Sequence, residues 1–162
     1  MVNNRAIVSI IDRITKNNVA PCKKTLQKIV FLVEAKNVSL GCDYGIHFYG
    51  PYSADLDFAV RQLSDDGILK IDYTPMEHRI SVVDSNFEEN YINATVDEIV
   101  DEFSKDSPSE LELIATTLYV YCQVGDLSKV KDGVLKIKGS KYSEARIEGA
   151  IDRLKKTGYI AA

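Results

Sequence analysis

Within the five residues Tyr49-Gly50-Pro51-Tyr52-Ser53 the backbone has to end one element and begin another. Glycine next to proline punctuates an extended run, and proline has no N–H with which to continue a sheet ladder. Residues 44–49 therefore read as a short strand halted at Gly50-Pro51. Ser53 is a helix N-cap, and Asp55 and Asp57 fall in the first turn, where negative charge suits the helix dipole. Leu56, Ala59, Val60 and Leu63 then recur at helical spacing, and Gly67 supplies a stop. Any fold of this chain must set a strand against the start of a helix here.

The elements around the corner extend the pattern. Ile7, Ile10, Ile11 and Ile14 predict a helix over about 4–16, broken by Asn17-Asn18. Leu26, Ile29, Val30 and Val33 predict a second, which Phe31 and Leu32 widen until it is apolar on most sides. After Gly67, the runs 68–73 and 78–83 read as two strands joined by the hairpin loop Thr74-Pro75-Met76-Glu77. Helix, helix, short strand, helix, hairpin is the order of a winged helix-turn-helix, with the hairpin as the wing. The expected fold class is mainly α with a small β-hairpin (α+β).

Charge divides the rest. Residues 1–83 carry ten basic and nine acidic side chains, 84–112 one basic and ten acidic, and 126–162 nine basic and five acidic. The net charge of −4 thus hides an acidic middle and a basic end, excluding a uniformly basic surface but not a local nucleic-acid site. Val96, Ile99, Val100 and Phe103 place one amphipathic helix in the acidic stretch, and Ser107-Pro108-Ser109-Glu110 combines a capping box with proline at the first helical position. Further helices are expected to about Gln123, from Gly125-Asp126 to about Lys138, and from the Ser143 cap onward, before a strand-like Gly158-Tyr159-Ile160 tail. The expected organisation is a winged-helix-like domain over 1–83, an acidic connecting segment over 84–106, and a helical region over 107–162 that ends in a winged-helix-like helix and strand.

The two ends of this path echo each other. Tyr52-Ser53 matches Tyr142-Ser143, and with one inserted residue Leu56, Ala59, Val60, Leu63 and Gly67 fall on Ile147, Ala150, Ile151, Leu154 and Gly158. The outward stripes differ. On the first helix the stripe is Asp55, Phe58, Gln62 and Asp65; Asp55 and Asp65 repel phosphate, and Phe58 suits a protein partner. Arg146, Gly149, Arg153 and Lys156 on the last helix, with Lys141 nearby, have the sign that nucleic acid requires. The candidate nucleic-acid set is therefore Lys141, Arg146, Gly149, Arg153 and Lys156, against the alternative of a solvated lysine-rich surface. The candidate partner set is Tyr49, Tyr52, Asp55, Phe58 and Gln62, against the alternative that the tyrosines brace the corner.

Other chemistry leaves no signature. The nine glycines form no phosphate-binding loop, and Cys42 and His47 lack the remaining ligands of a metal site. The carboxylates Asp97, Glu98, Asp101 and Glu102 alternate with apolar residues as a solvated helical face does. Cys22, Cys42 and Cys122 are odd in number and widely spaced, as in a cytoplasmic protein with free thiols. No apolar run approaches the ~20 residues of a membrane span. No enzyme, cofactor or metal is expected.

The segments Lys24-Thr25-Leu26-Gln27-Lys28-Ile29-Val30-Phe31-Leu32, His47-Phe48-Tyr49-Gly50-Pro51-Tyr52-Ser53 and 63–69 together resemble the YwgA-like family of small prokaryotic winged-helix proteins. More remotely, the helix and the Tyr-Gly-Pro corner are similar to the Panacea domain of SocA-type antitoxins. The likeness spans about residues 23–71 and brings no catalytic residues. It implies a winged-helix fold and, through the antitoxins, a protein partner. The expected function is a non-enzymatic regulator that contacts DNA through its basic end, or alternatively an adaptor or antitoxin-like partner of another protein. Regulators of the first kind commonly dimerise, though no heptad run declares a homodimer here.

Overall fold

The isoleucine stripe closes into helix α1 (Asn4–Lys16), with Asn3 as its cap: the Asn3 side chain accepts from the Ala6 amide, and Ile7, Ile10, Ile11 and Ile14 are fully buried. The computed structural model describes residues 1–87 and 90–161. Helix α2 (Lys23–Glu34) buries nine consecutive residues from Thr25 to Val33, so it is enclosed on every side, as its apolar width predicts. Its polar members, Gln27 and Lys28, are as buried as their neighbours and need internal partners.

Those partners lie in the corner. Strands β1 (Gly45–His47) and β2 (Gly50–Tyr52) pair antiparallel, His47 opposite Gly50, with Phe48-Tyr49 as a two-residue turn. The expected single strand over 44–49 halted at Gly50-Pro51 is thus corrected: Gly50 and Pro51 form the return strand. Proline is tolerated because this two-stranded sheet is all edge. Gly50 has φ +97°, and a Cβ there would sit 2.8 Å from Thr116 Oγ1. Ser53 then caps α3 (Ala54–Asp65) by accepting from the Leu56 amide at 3.2 Å.

Strands β3 (Leu69–Tyr73) and β4 (His78–Val82) form the expected hairpin, in register from Leu69–Val82 to Tyr73–His78. It docks on the segment before α2, where the Ile80 amide donates to the Pro21 carbonyl at 2.9 Å. In the C-terminal half the helices are α4 (Ala94–Phe103), α5 (Pro108–Val124), α6 (Val130–Lys138) and α7 (Glu144–Lys156), with short 3-10 turns before and after α6. Helix α5 is the second enclosed helix and packs against α2, β2, α6 and α7, while α4 packs on α1 and α2. Side chains from all seven helices and from β3 and β4 belong to one hydrophobic core, so the three stretches separated by charge in the sequence share a single interior.

The expected C-terminal strand does not form. After α7 the chain turns at Gly158 (φ +81°), the Tyr159 and Ile160 amides return to the Leu154 carbonyl, and Ile160 is buried. Residues 159–161 have no facing strand among the described residues, and a strand needs one to satisfy its backbone. Among the described residues the fold is therefore mainly helical with two small antiparallel hairpins, an α+β architecture, and α7 leads into no hairpin.

Candidate functional site

Gln27 and Lys28 hold the corner by its backbone. Gln27 Nε2 donates to the Ser53 carbonyl at 2.9 Å, and the Ser53 amide donates to Gln27 Oε1 at 2.8 Å. The side-chain amide pairs with Ser53 as a neighbouring strand would. Lys28 Nζ donates to the Pro51 carbonyl at 2.8 Å. The leucine-glutamine-lysine helix and the Gly-Pro-Tyr-Ser corner are thus two halves of one contact. Burial pushes the Lys28 ammonium down to about 8, with the charges of Lys138 and Lys24 adding to the effect and Glu112 opposing it.

Glu112, one turn below Thr116 on α5, collects the cations beneath the hairpin. Its Oε2 accepts from Tyr142 Oη at 2.6 Å and lies 2.8 Å from Lys141 Nζ and 3.2 Å from Lys138 Nζ. Burial alone would push the Glu112 carboxyl up, but hydrogen bonds from Lys141 and Tyr142 and the nearby Lys138 hold it below its ordinary value. The Thr116 hydroxyl is buried beside them with no hydrogen-bond partner among the described residues. Lys138 also donates to the Phe48 carbonyl at the hairpin tip, at 2.7 Å. Lys24, Lys28, Lys138 and Glu112 were not among the expected site residues. The sequence signal was Gln27-Lys28 inside a helix otherwise apolar on most sides.

The expected partner set separates into two places. Asp55, Phe58 and Gln62 line one side of a cleft of about 460 Å³ closed by Met1, Val2, Asn4, Gly41 and Asp43, with Phe58 59% exposed. Tyr49 instead sits at the hairpin tip, edge-on to Phe48 and 4.0 Å from Lys24 Nζ. Tyr52 is half-buried against His47, the ring centroids 4.8 Å apart, and so braces the corner.

Of the expected nucleic-acid set, three cations, Lys141, Arg146 and Arg153, are engaged within the chain. Arg146 is paired with Glu110 of α5 and stacks over Tyr142 at 5.0 Å. Arg153 lies 3.0 Å from Glu102 and 2.9 Å from Asp106, and covers the Phe103 ring at 4.9 Å. Lys141 is held by Glu112. Lys156 and Gly149 are exposed, and a side chain at Gly149 would meet open space. The basic end of the sequence thus neutralises the acidic middle, and the Arg153 guanidinium is pushed up by its bond to Asp106.

Cys42 is buried with its thiol pushed up to about 12, by burial first and by the charge of Glu34 second, so it stays protonated at neutral pH. Among the described residues no three His, Cys, Asp or Glu side chains converge as metal ligands, and no helix is long and apolar enough to cross a membrane. No protein-family model matches this chain, and no curated protein sequence matches it.

Proposed function

We propose that this is a non-enzymatic regulatory protein of the cytoplasm, built on a winged helix, that works by binding a polypeptide through the outward face of α3. The order α1, α2, β1–β2, α3 and the β3–β4 hairpin supports the winged-helix reading. The observation that carries the function is the α3 cleft: an exposed Phe58 flanked by Asp55, Gln62 and Asp43, with no lysine or arginine among the described residues of its lining. An aromatic anchor ringed by polar groups is the anatomy of a protein interface. The carboxylates set the partner's chemistry as a basic segment with an apolar side chain to fill the cleft. The same charges repel a phosphate backbone.

The DNA reading through α7 has less support, because Arg146 and Arg153 would have to leave Glu110, Glu102 and Asp106 before meeting phosphates. The two readings separate by recovering crosslinked complexes from the native cells and measuring the purified partner's affinity. Phe58→Asp, at a position 59% exposed, keeps the fold and weakens a polypeptide partner by about 2 kcal/mol or more, the cost of losing a central anchor. Arg146→Gln with Arg153→Gln leaves that partner bound. Recovery of nucleic acid that the arginine variants lose and Phe58→Asp keeps would overturn the proposal.

A further inference from the structure

A second surface, at the far end of α2, has the opposite character. The two-residue turn of the first hairpin carries Phe48, 81% exposed, and Tyr49, 46% exposed, their rings edge-to-face at 4.9 Å. Facing them across the start of α2 is the loop of the second hairpin. Tyr49, Lys23, Lys24, Met76 and His78 line the cleft of about 220 Å³ between the two tips. Met76 is almost wholly exposed.

The charge here is positive in a chain that is acidic overall. Asp57, Glu77 and Glu112 are the nearby carboxylates, and each already carries a cation: Lys23 and Arg61 on Asp57, Arg79 on Glu77, Lys138 and Lys141 on Glu112. Lys24 has no carboxylate partner among the described residues. Its ammonium rests on the face of Tyr49, while Lys141 Nζ is 5.7 Å from the same ring. Lys138 and Lys141 share the single carboxylate of Glu112, so the basic section of the sequence brings net positive charge to the hairpin tip.

We propose that the two hairpin tips and the start of α2 form a binding surface for single-stranded nucleic acid. Lysines beside exposed rings match a polyanion whose flat bases are free to stack, and this pairing underlies sequence-tolerant single-strand binding. A duplex hides its base faces, and an acidic peptide would satisfy the lysines while leaving the rings without planar partners. The surface shares no lining residue with the α3 cleft, so the two sites can be occupied together and tested apart.

The test is fluorescence anisotropy of a labelled oligodeoxythymidine with the full chain, titrated with salt. Binding at low ionic strength should weaken as salt rises, and Lys24→Gln should reduce the log–log slope by about 0.7, one phosphate contact on a single strand. Phe48→Ala and Tyr49→Ala should each weaken binding about 5- to 150-fold, the span that alanine substitution gives for base stacking. Unchanged circular dichroism melting confirms that the variants fold, and Phe48→Ala alone suffices should the Tyr49 variant lose stability. Phe58→Asp should bind the oligonucleotide as the wild type does. Absence of binding at low salt would overturn the proposal, as would ring variants of unchanged affinity. Displacement of the oligonucleotide by polyglutamate as effectively as by unlabelled polythymidine would assign the surface to an acidic peptide instead.

Discussion

Helices α3 and α7 begin and end alike. Each is preceded by tyrosine and capped by a serine whose hydroxyl accepts from the third amide beyond, at 3.2 Å in both. Each ends where a glycine near φ +80° lets the next amide return to a buried leucine carbonyl: Ile68 to Leu63 and Tyr159 to Leu154, both at 2.9 Å. Leu56, Ala59 and Leu63 are buried on one, as are Ile147, Ala150 and Leu154 on the other. Beyond the glycines they diverge. Leu69 enters a strand because Val82 faces it, while Ile160 folds into the core without one. Cap, apolar face and stop are local, and any capped amphipathic helix on a core will show them. The hairpin is not local, since it depends on a second segment. The outward faces diverge too: α7 offers arginines that α4 and α5 have already matched, and α3 offers an aromatic ring that is 59% exposed.

The largest test of this contrast is at the helix starts. Ser53 is fully buried and its backbone is held by Gln27, whereas Ser143 is exposed. Gln27→Ala leaves the buried Ser53 amide without its acceptor, while the Ser53 carbonyl keeps the Asp57 amide at 3.2 Å, so denaturant unfolding should show a loss of about 1–3 kcal/mol. Among the caps, Ser53→Ala should cost near the upper end of the ~0.5–2 kcal/mol range for capping serines, and Ser143→Ala near the lower end. Equal losses would mean that the corner clamp contributes nothing to the α3 start.

Lys28 gives the α3 corner a pH signature. With its folded-state value lowered to about 8 from 10.5, the native state holds fewer protons than the unfolded chain between those limits. Stability from this group therefore rises as pH climbs through 8, by at most about 1.4 kcal/mol per pH unit. Cys42, raised to about 12 from 9.0, acts in the opposite direction above pH 9, so the window to measure is pH 8–9. Lys28→Met should flatten the rise in that window, and a rise that persists in the variant would assign it to other groups.

The parts legible in the sequence were those set by near neighbours. The isoleucine stripe of α1, the Ser53, Ser107 and Ser143 caps and the β3–β4 hairpin all formed as their spacing dictates. The Gly50-Pro51 pair was legible as a change of direction but not as a return strand, because what holds it is Lys28 and the space beside Thr116. Glu110 was read as half of a capping box. Ser107 does accept from its amide at 3.1 Å, while its carboxylate goes to Arg146, 36 positions away. Arg153 reaches Glu102 and Asp106 across 51 and 47 positions. A basic stripe on a helical wheel cannot reveal partners at such distances, and so the charge blocks concealed an internal neutralisation.

The smallest test concerns the stops. Gly67→Ala and Gly158→Ala should each cost about 1 kcal/mol for a left-handed residue bearing a Cβ. Gly158→Ala should cost slightly more, because its Cβ would lie 2.9 Å from Lys36 Nζ, which donates to the Thr157 carbonyl. Thermal melting resolves that ordering, and the reverse ordering would separate the two stops that the sequence echo equates.

The working difference between the two helices is most directly measured by photo-crosslinking in the native cells, with a photoreactive residue in place of Gln62 on α3 or of Gly149 on α7. Both positions are exposed. A polypeptide adduct is expected from the α3 position and none from the α7 position. An adduct from the α7 position alone, whether nucleic acid or protein, would contradict that expectation.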